Sequence, residues 1–367
     1  MRSFHRSSDR VLLAATVGLL LAGIAFVYSA SAEFSALRVG APDRFAINHS
    51  IRVALSLLVL LVVSRIDYHV LIQLSRPLLV LSVVLLLFVL VQGTQLKGAV
   101  RWLDIAGISF QPSEFAKFAL LFHLAARIAQ REYAEWDWKH GLLPSVGWIA
   151  LVAGLIALQP NLSTAAVVFS LGMMLLFIGG ARLHHLTFIA SAGLVGLVIY
   201  ALGAEYRIER LESYFGQSPT AESYQLQQAL VGFAQGGIAG VGPGQSRQRD
   251  LFLPESYGDF IVAIVGEEYG FMGVVGLIML YGIIVVRGVL IARNAPDVLG
   301  YLCAWAVVLV IGWYALINIA VSCGVLPTTG IPLPLVSYGG SSIVFTAAAL
   351  GVLLNISRHT TAEEGHA

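Results

Sequence analysis

The chain has 367 residues, 57% of them hydrophobic and 12% charged, with a formal net charge of +1 and a mean hydropathy of +0.81. A soluble domain carries about twice that share of charge, so the composition points to a polytopic membrane protein. The near-neutral balance, with no Lys/Arg-rich run, argues against nucleic acid as a partner.

Apolar runs of about 20 residues, the length that crosses a bilayer, lie near residues 11–31, 46–64, 70–92, 112–129, 142–158, 161–180, 186–203, 258–289, 300–323 and 338–356. The first follows a basic stretch and ends in SASA, which mimics a cleaved leader. It is longer than a signal core of about 7–15 residues and is read as a retained span. The eighth is long enough to tilt or project. Cys303 and Cys323, the only cysteines, share the ninth run; about 30 Å of helix separates them, beyond disulfide reach. The expected fold is all-α, with about ten transmembrane helices and a long extracytoplasmic loop, 204–257, between spans seven and eight.

Ten spans place both termini on one side. With the N-terminus inside, the inner segments hold Arg2, Arg6, Arg10, Arg65, Arg76, Arg127, Arg131, Lys139, Arg182, Arg287, Arg293 and Arg358. The outer ones hold Arg38, Arg44, Arg52, Lys97, Arg101 and Lys117, with four more arginines in the long loop, where charge counts little. Residues 1–10 and 357–367 are therefore expected to be cytoplasmic ends of a membrane domain spanning 11–356.

That orientation puts the polar segments outside. LPESYGDFIVAIVGEEYG (253–270) carries Asp259, Glu267 and Glu268, each costing about 2.5–3.5 kcal/mol at a bilayer centre. Asp259 falls near a helix start at the water boundary, where it can stay ionised and act as a base; the bland alternative is a helix cap. Glu267 is about 12 Å deeper, too far for a glycosidase-like carboxylate pair. In KGAVRWLDIAGISFQPSEFAK (97–117), Pro112 suits a first helical turn. Glu114 and Lys117, three apart, either neutralise each other or present a cation to an anionic substrate. Arg101 suits phosphate contact, and Trp102 interfacial anchoring. GVLPTTGIPLPLVSYGGSS (324–342) cannot be continuous helix. Its Ser337–Ser342 stretch offers donors for phosphate, or packs as a re-entrant turn. YQLQQ (224–228) and the glycine-rich 236–244 complete the outer set. There is no phosphate-loop, HExxH or Cys/His metal spacing, so any free energy must come from the substrate or an ion gradient.

With these motifs in order between the spans, residues 10–357 resemble the SEDS (shape, elongation, division and sporulation) family of cell-wall polymerases. RQRDLFLPE and PTTGIPLP are closer to its division branch, FtsW, than to its elongation branch, RodA. The resemblance implies a peptidoglycan glycosyltransferase polymerising lipid II outside the bacterial inner membrane, at the division septum. In it Asp259 matches the essential aspartate, and Arg101, Glu114, Lys117, Gln228, Glu267, Ser337 and Ser341 are the expected substrate-site residues. It further implies a class B penicillin-binding protein as partner, with Trp102 a contact, other division proteins and membrane lipids around it, and a reaction with or without a divalent cation such as Mg²⁺. Asn161 and Ser163 stand where the family usually has Asp and Gly, Ala229 where it has Ser, and Tyr257-Gly258 where it has His-Thr. The rival readings are a lipid-linked precursor transporter, which also uses broken helices and buried acids, and a scaffold for division proteins.

Overall fold

A computed structural model describes residues 8–96, 99–105, 108–130, 138–203 and 221–359. Arg2, Arg6, Lys97, Arg131, the first part of the long loop and the tail after His359 lie outside the described residues.

Twelve described α-helices carry the fold: α1 (Arg10–Val39), α2 (Arg44–Val63), α3 (Tyr68–Gln73), α4 (Ser75–Gln92), α5 (Pro112–Ala129), α6 (Leu143–Leu158), α7 (Leu162–Ile178), α8 (Leu183–Leu202), α9 (Ala221–Gly236), α10 (Ile261–Arg293), α11 (Val298–Ser322) and α12 (Gly340–His359). Six are long and apolar enough to cross a membrane unaided. The shorter apolar α6, α7 and α8 and the charged α5 bring the described set to the ten expected spans. Local chemistry sets the ends. Asp9 accepts from Leu12 N–H at 2.9 Å to start α1, and Gly40 in the left-handed region stops it. Asp297 caps α11 through Gly300 N–H at 2.6 Å. Pro112 opens α5 after extended Gln111.

The described residues are helical almost throughout, as the all-α reading has it, with two further features in the outer segments. β1 (Thr94–Leu96), β2 (Ala99–Ile105) and β3 (Ile108–Phe110) form a small antiparallel sheet in the order β1-β2-β3. The long loop contains α9, which packs along α10. YQLQQ sits in that helix, not in coil.

α5, α11 and α12 form the buried centre, whereas α2 and α4 leave Leu58, Leu61, Leu81 and Leu87 exposed, as helices facing lipid do. Because the spans alternate, residues 93–96, 99–105, 108–111, 159–161, 237–260 and 323–339 gather at one polar end. The opposite end is fastened by its own ties. Asn355 accepts from Tyr68 N–H at 3.0 Å and donates to Ser64 O at 3.1 Å, and Arg287 pairs with Asp9 at 2.8 Å.

α10 is broken. Gly270 has φ 66°, ψ −164°, a region essentially closed to other residues. The freed backbone groups are met by the glycine-rich strand that threads the gap. Val241 N–H donates to Glu267 O at 2.9 Å and Gly242 N–H to Glu268 O at 3.0 Å. Phe271 and Met272 N–H donate to Gly237 O and Ile238 O at 2.9 and 3.1 Å. Irregular backbone within a bundle persists only when its polar groups are covered in this way.

Candidate functional site

Asp259 lies two residues before α10, in a turn whose backbone is fastened from three sides. Ser337 Oγ donates to Gly258 O at 2.6 Å, and Asn318 Nδ2 donates to Asp259 O at 2.9 Å. Tyr338 N–H donates to Tyr257 O at 2.9 Å. Asn318 also donates to Ile331 O at 2.8 Å, so one buried amide ties the aspartate turn to the proline-rich segment. A Cβ placed on Gly330 would lie 3.5 Å from Asp259 Oδ2, which sets the half-exposed carboxylate against that segment. Glu255 and Leu335, close to the two sides of the clamp, hold φ of 58° and 67°. Such strain costs on the order of 1–3 kcal/mol per residue and concentrates at functional sites.

Ser337 is 3% exposed and also accepts from Leu333 N–H at 2.9 Å. Its hydroxyl is thus used inside the clamp, not offered as an open phosphate donor. Ser341 accepts from Gln111 N–H at 2.9 Å, which joins the start of α12 to the start of α5. The three outer motifs, far apart in sequence, are in this way hydrogen-bonded to one another.

Beneath them, Lys117 Nζ donates to Glu114 Oε2 at 2.6 Å with both side chains buried, and lies 4.0 Å from the ring centre of Tyr314. Tyr314 and Asn318 are one turn apart on α11. The Lys117 pair and the Asp259 turn therefore meet the same helix about one turn apart. Of the two expectations for this pair, the mutual pairing is present, with neither side chain open to solvent. Arg101 reaches the α6–α7 turn, donating to Gln159 O at 3.3 Å and to Pro160 O. Trp102 is half-buried on β2, opposite Thr94.

Glu267 is placed differently from the substrate contact expected of it. It is fully buried, and its carboxylate accepts from Arg247 and Gln248 N–H at 2.9 and 3.2 Å and from Ser246 Oγ. It anchors the loop that threads α10. Asp259 precedes the helix rather than belonging to it, so the helical spacing assumed between the two acids does not apply. Glu268 is buried against α1, where Ser29 Oγ donates to it at 2.5 Å. Gln228 is half-buried on α9, away from these bonds. Among the described residues no group of three or more His, Cys, Asp or Glu side chains converges to hold a metal. A divalent cation there would rest on substrate phosphates and at most two carboxylates.

Asn318 and Tyr314 are absent from the sequence-derived set. The signal for Asn318 was present, since an amide inside an otherwise apolar span is costly unless used. The pairing of Tyr314 with Lys117 had no sequence signal.

Among the described residues, six membrane-length apolar helices and shorter apolar ones, with a broken helix and a fastened acidic turn at one polar end, define a polytopic membrane protein. A family model described as "Cell cycle protein", grouping FtsW, RodA and SpoVE, matches residues 10–362, and the chain belongs to this family. It is 35% identical to stage V sporulation protein E of Bacillus subtilis, over 98% of this chain and 100% of that protein. It is 36% identical to the probable peptidoglycan glycosyltransferase FtsW of Trichlorobacter lovleyi, over 95% of this chain and 93% of that one. A solved peptidoglycan synthase complex, described as coordinating polymerization and crosslinking, contains a chain matching 96% of this one and 98% of itself, with a TM-score of 0.78 and 30% identity.

Proposed function

We propose that this protein is a division-type peptidoglycan glycosyltransferase that polymerises lipid II at the outer face of the cytoplasmic membrane, with Asp259 as general base. The observation that carries the assignment of the base is the fastened turn. Ser337, Asn318 and Tyr338 hold the backbone of residues 257–259, so the carboxylate meets a substrate without reorganising. The family relationship supports the activity, and the short-loop charge bias supports cytoplasmic termini.

In this reading Asp259 accepts the proton of the acceptor GlcNAc 4-hydroxyl. That oxygen bonds to the donor's anomeric carbon from the face opposite the diphosphate. The carbon–oxygen bond to undecaprenyl diphosphate breaks with its electron pair on the leaving group, inverting the centre. The leaving group supplies the driving force. Lys117, held by Glu114, orders the floor beneath the turn, and Arg101 acts through the 159–160 turn it holds. A crosslinking transpeptidase of the penicillin-binding class is the partner that fits such a polymerase, with Trp102 on the outer sheet as a contact.

Asp259→Asn keeps the shape and removes the base. The expected result is correctly inserted protein that makes no glycan from labelled lipid II. Near-normal polymerisation by this variant would end the assignment of the base. Wild-type protein that moves labelled lipid II across vesicles, yet forms no strands even with its partner, would favour the carrier reading that the broken α10 also suits.

A further inference from the structure

Arg52 lies two turns into α2, half-buried, and its guanidinium has no hydrogen bond or carboxylate partner among the described residues. It lies 4.5 Å from the ring centre of Tyr338. An unpaired arginine inside a membrane helix is costly, and stacking on one ring offsets only part of that. Its position gives the cost a use. A Cβ built on Gly340 would lie 3.7 Å from Arg52 Cζ and 3.2 Å from Ser109 O. The guanidinium thus reaches the first residue of α12 where that helix meets β3. Tyr338 is also the residue whose N–H fastens Tyr257 in the aspartate turn. The first N–H groups of a 20-residue helix have no intrahelical partners and favour an anion.

A second observation points the same way. His49, one turn before Arg52 on the same face of α2, is fully buried, and neither ring nitrogen has a partner. Its ring packs on the same Tyr338 ring, with centres 5.9 Å apart. Buried polar atoms without partners are uncommon and call for a missing ligand or water. By contrast Lys117 is paired with Glu114 and Arg101 is committed to backbone carbonyls.

We propose that Arg52 and the N-terminus of α12, with His49 buried behind them against Tyr338, form an oxyanion subsite that takes the diphosphate of the lipid-linked donor. This rests on the glycosyltransferase reading and deepens it: the planar guanidinium pairs two diphosphate oxygens, the α12 amides meet the others, and the sugar is left facing Asp259.

Three full-length proteins in neutral detergent test it: wild type, Arg52→Gln and Arg52→Lys, each checked for an unchanged unfolding midpoint. Polymerisation of lipid II by Arg52→Gln is expected to lose about tenfold or more in kcat/KM, chiefly through KM, with Arg52→Lys recovering part of it. Inorganic pyrophosphate, measured by calorimetric titration, is expected to bind wild type and Asp259→Asn but at least tenfold more weakly to Arg52→Gln. Equal pyrophosphate affinity in wild type and Arg52→Gln overturns the subsite. So does an Arg52 dependence seen with phosphatidylglycerol and not with pyrophosphate, which would assign the arginine to membrane lipid. An active Asp259→Asn alongside an intact Arg52 effect would instead remove the proposed base and leave the subsite standing.

Discussion

Replacing Gly270 by alanine tests whether the threaded break in α10 holds the polar end together. Two costs are readable from the backbone. The residue would have to keep φ 66°, ψ −164°, at about 1–3 kcal/mol. Its Cβ would meet Gly240 N at 2.4 Å and Ile238 O at 2.5 Å. Both are main-chain atoms that cannot rotate away, so the strand must retreat by about 1 Å to reach ordinary contact, at a further cost of about 1–3 kcal/mol. That retreat stretches the four cross-bonds made by Val241, Gly242, Phe271 and Met272. The sum is about 2–6 kcal/mol. Gly276 in the same helix is the control, since a Cβ there meets nothing within 4 Å. Thermal unfolding in detergent and lipid II polymerisation are the assays. Gly270→Ala should unfold at lower temperature and lose activity, while Gly276→Ala stays near wild type. Equal midpoints and equal activity for the two variants would refute the account of the break.

Lys117→Met leaves Glu114 buried without its partner and should destabilise by about 3–5 kcal/mol. Adding Glu114→Gln should restore the midpoint, and activity that returns with it would assign the pair to stability alone. Asn318→Leu removes the donors to Asp259 O and Ile331 O, at about 1–3 kcal/mol for each buried carbonyl. Its steady-state kinetics should show a larger fall in kcat than rise in KM, and unchanged kcat would count against a positioning role. At the opposite end, His69 contacts Asp67 and Asp297 at 2.8 Å each. Partial burial opposes the imidazolium, but the bonds to the two carboxylates outweigh it and hold the His69 pKa above its ordinary value. Burial likewise opposes the charges of Asp67 and Asp297, yet their hydrogen bonds hold both pKa values below the usual range. The His69 contribution is therefore complete below about pH 6.5 and fades as pH rises through its raised value. The carboxylate contribution is present above about pH 4 and fades as pH falls through the lowered values. The midpoint difference between wild type and His69→Gln should be largest between these limits, and a difference independent of pH would contradict the pairing of His69 with the two carboxylates.

The ten apolar runs, the Pro112 helix start and the interruption of helix at Pro327–Pro334 were determined by the sequence itself. Span length and proline geometry are local properties, legible a few residues at a time. The order of the motifs was enough to indicate the family, and Asp259 stood out because an acid beside a membrane span is costly. What only the tertiary structure decided was the bonding of each polar atom. Glu267 reads in sequence like Asp259, yet it is consumed by three donors from residues 246–248. Ser337 reads as an open donor, yet it closes a turn almost eighty residues away in the chain. Arg52 reads as one more interfacial cation until α12 is packed beside it. Hydrophobic periodicity reports which face of a helix is apolar. It carries no record of which distant carbonyl or amide that face will meet, because hydrogen bonds act over about 3 Å, a spacing fixed only once the helices are packed.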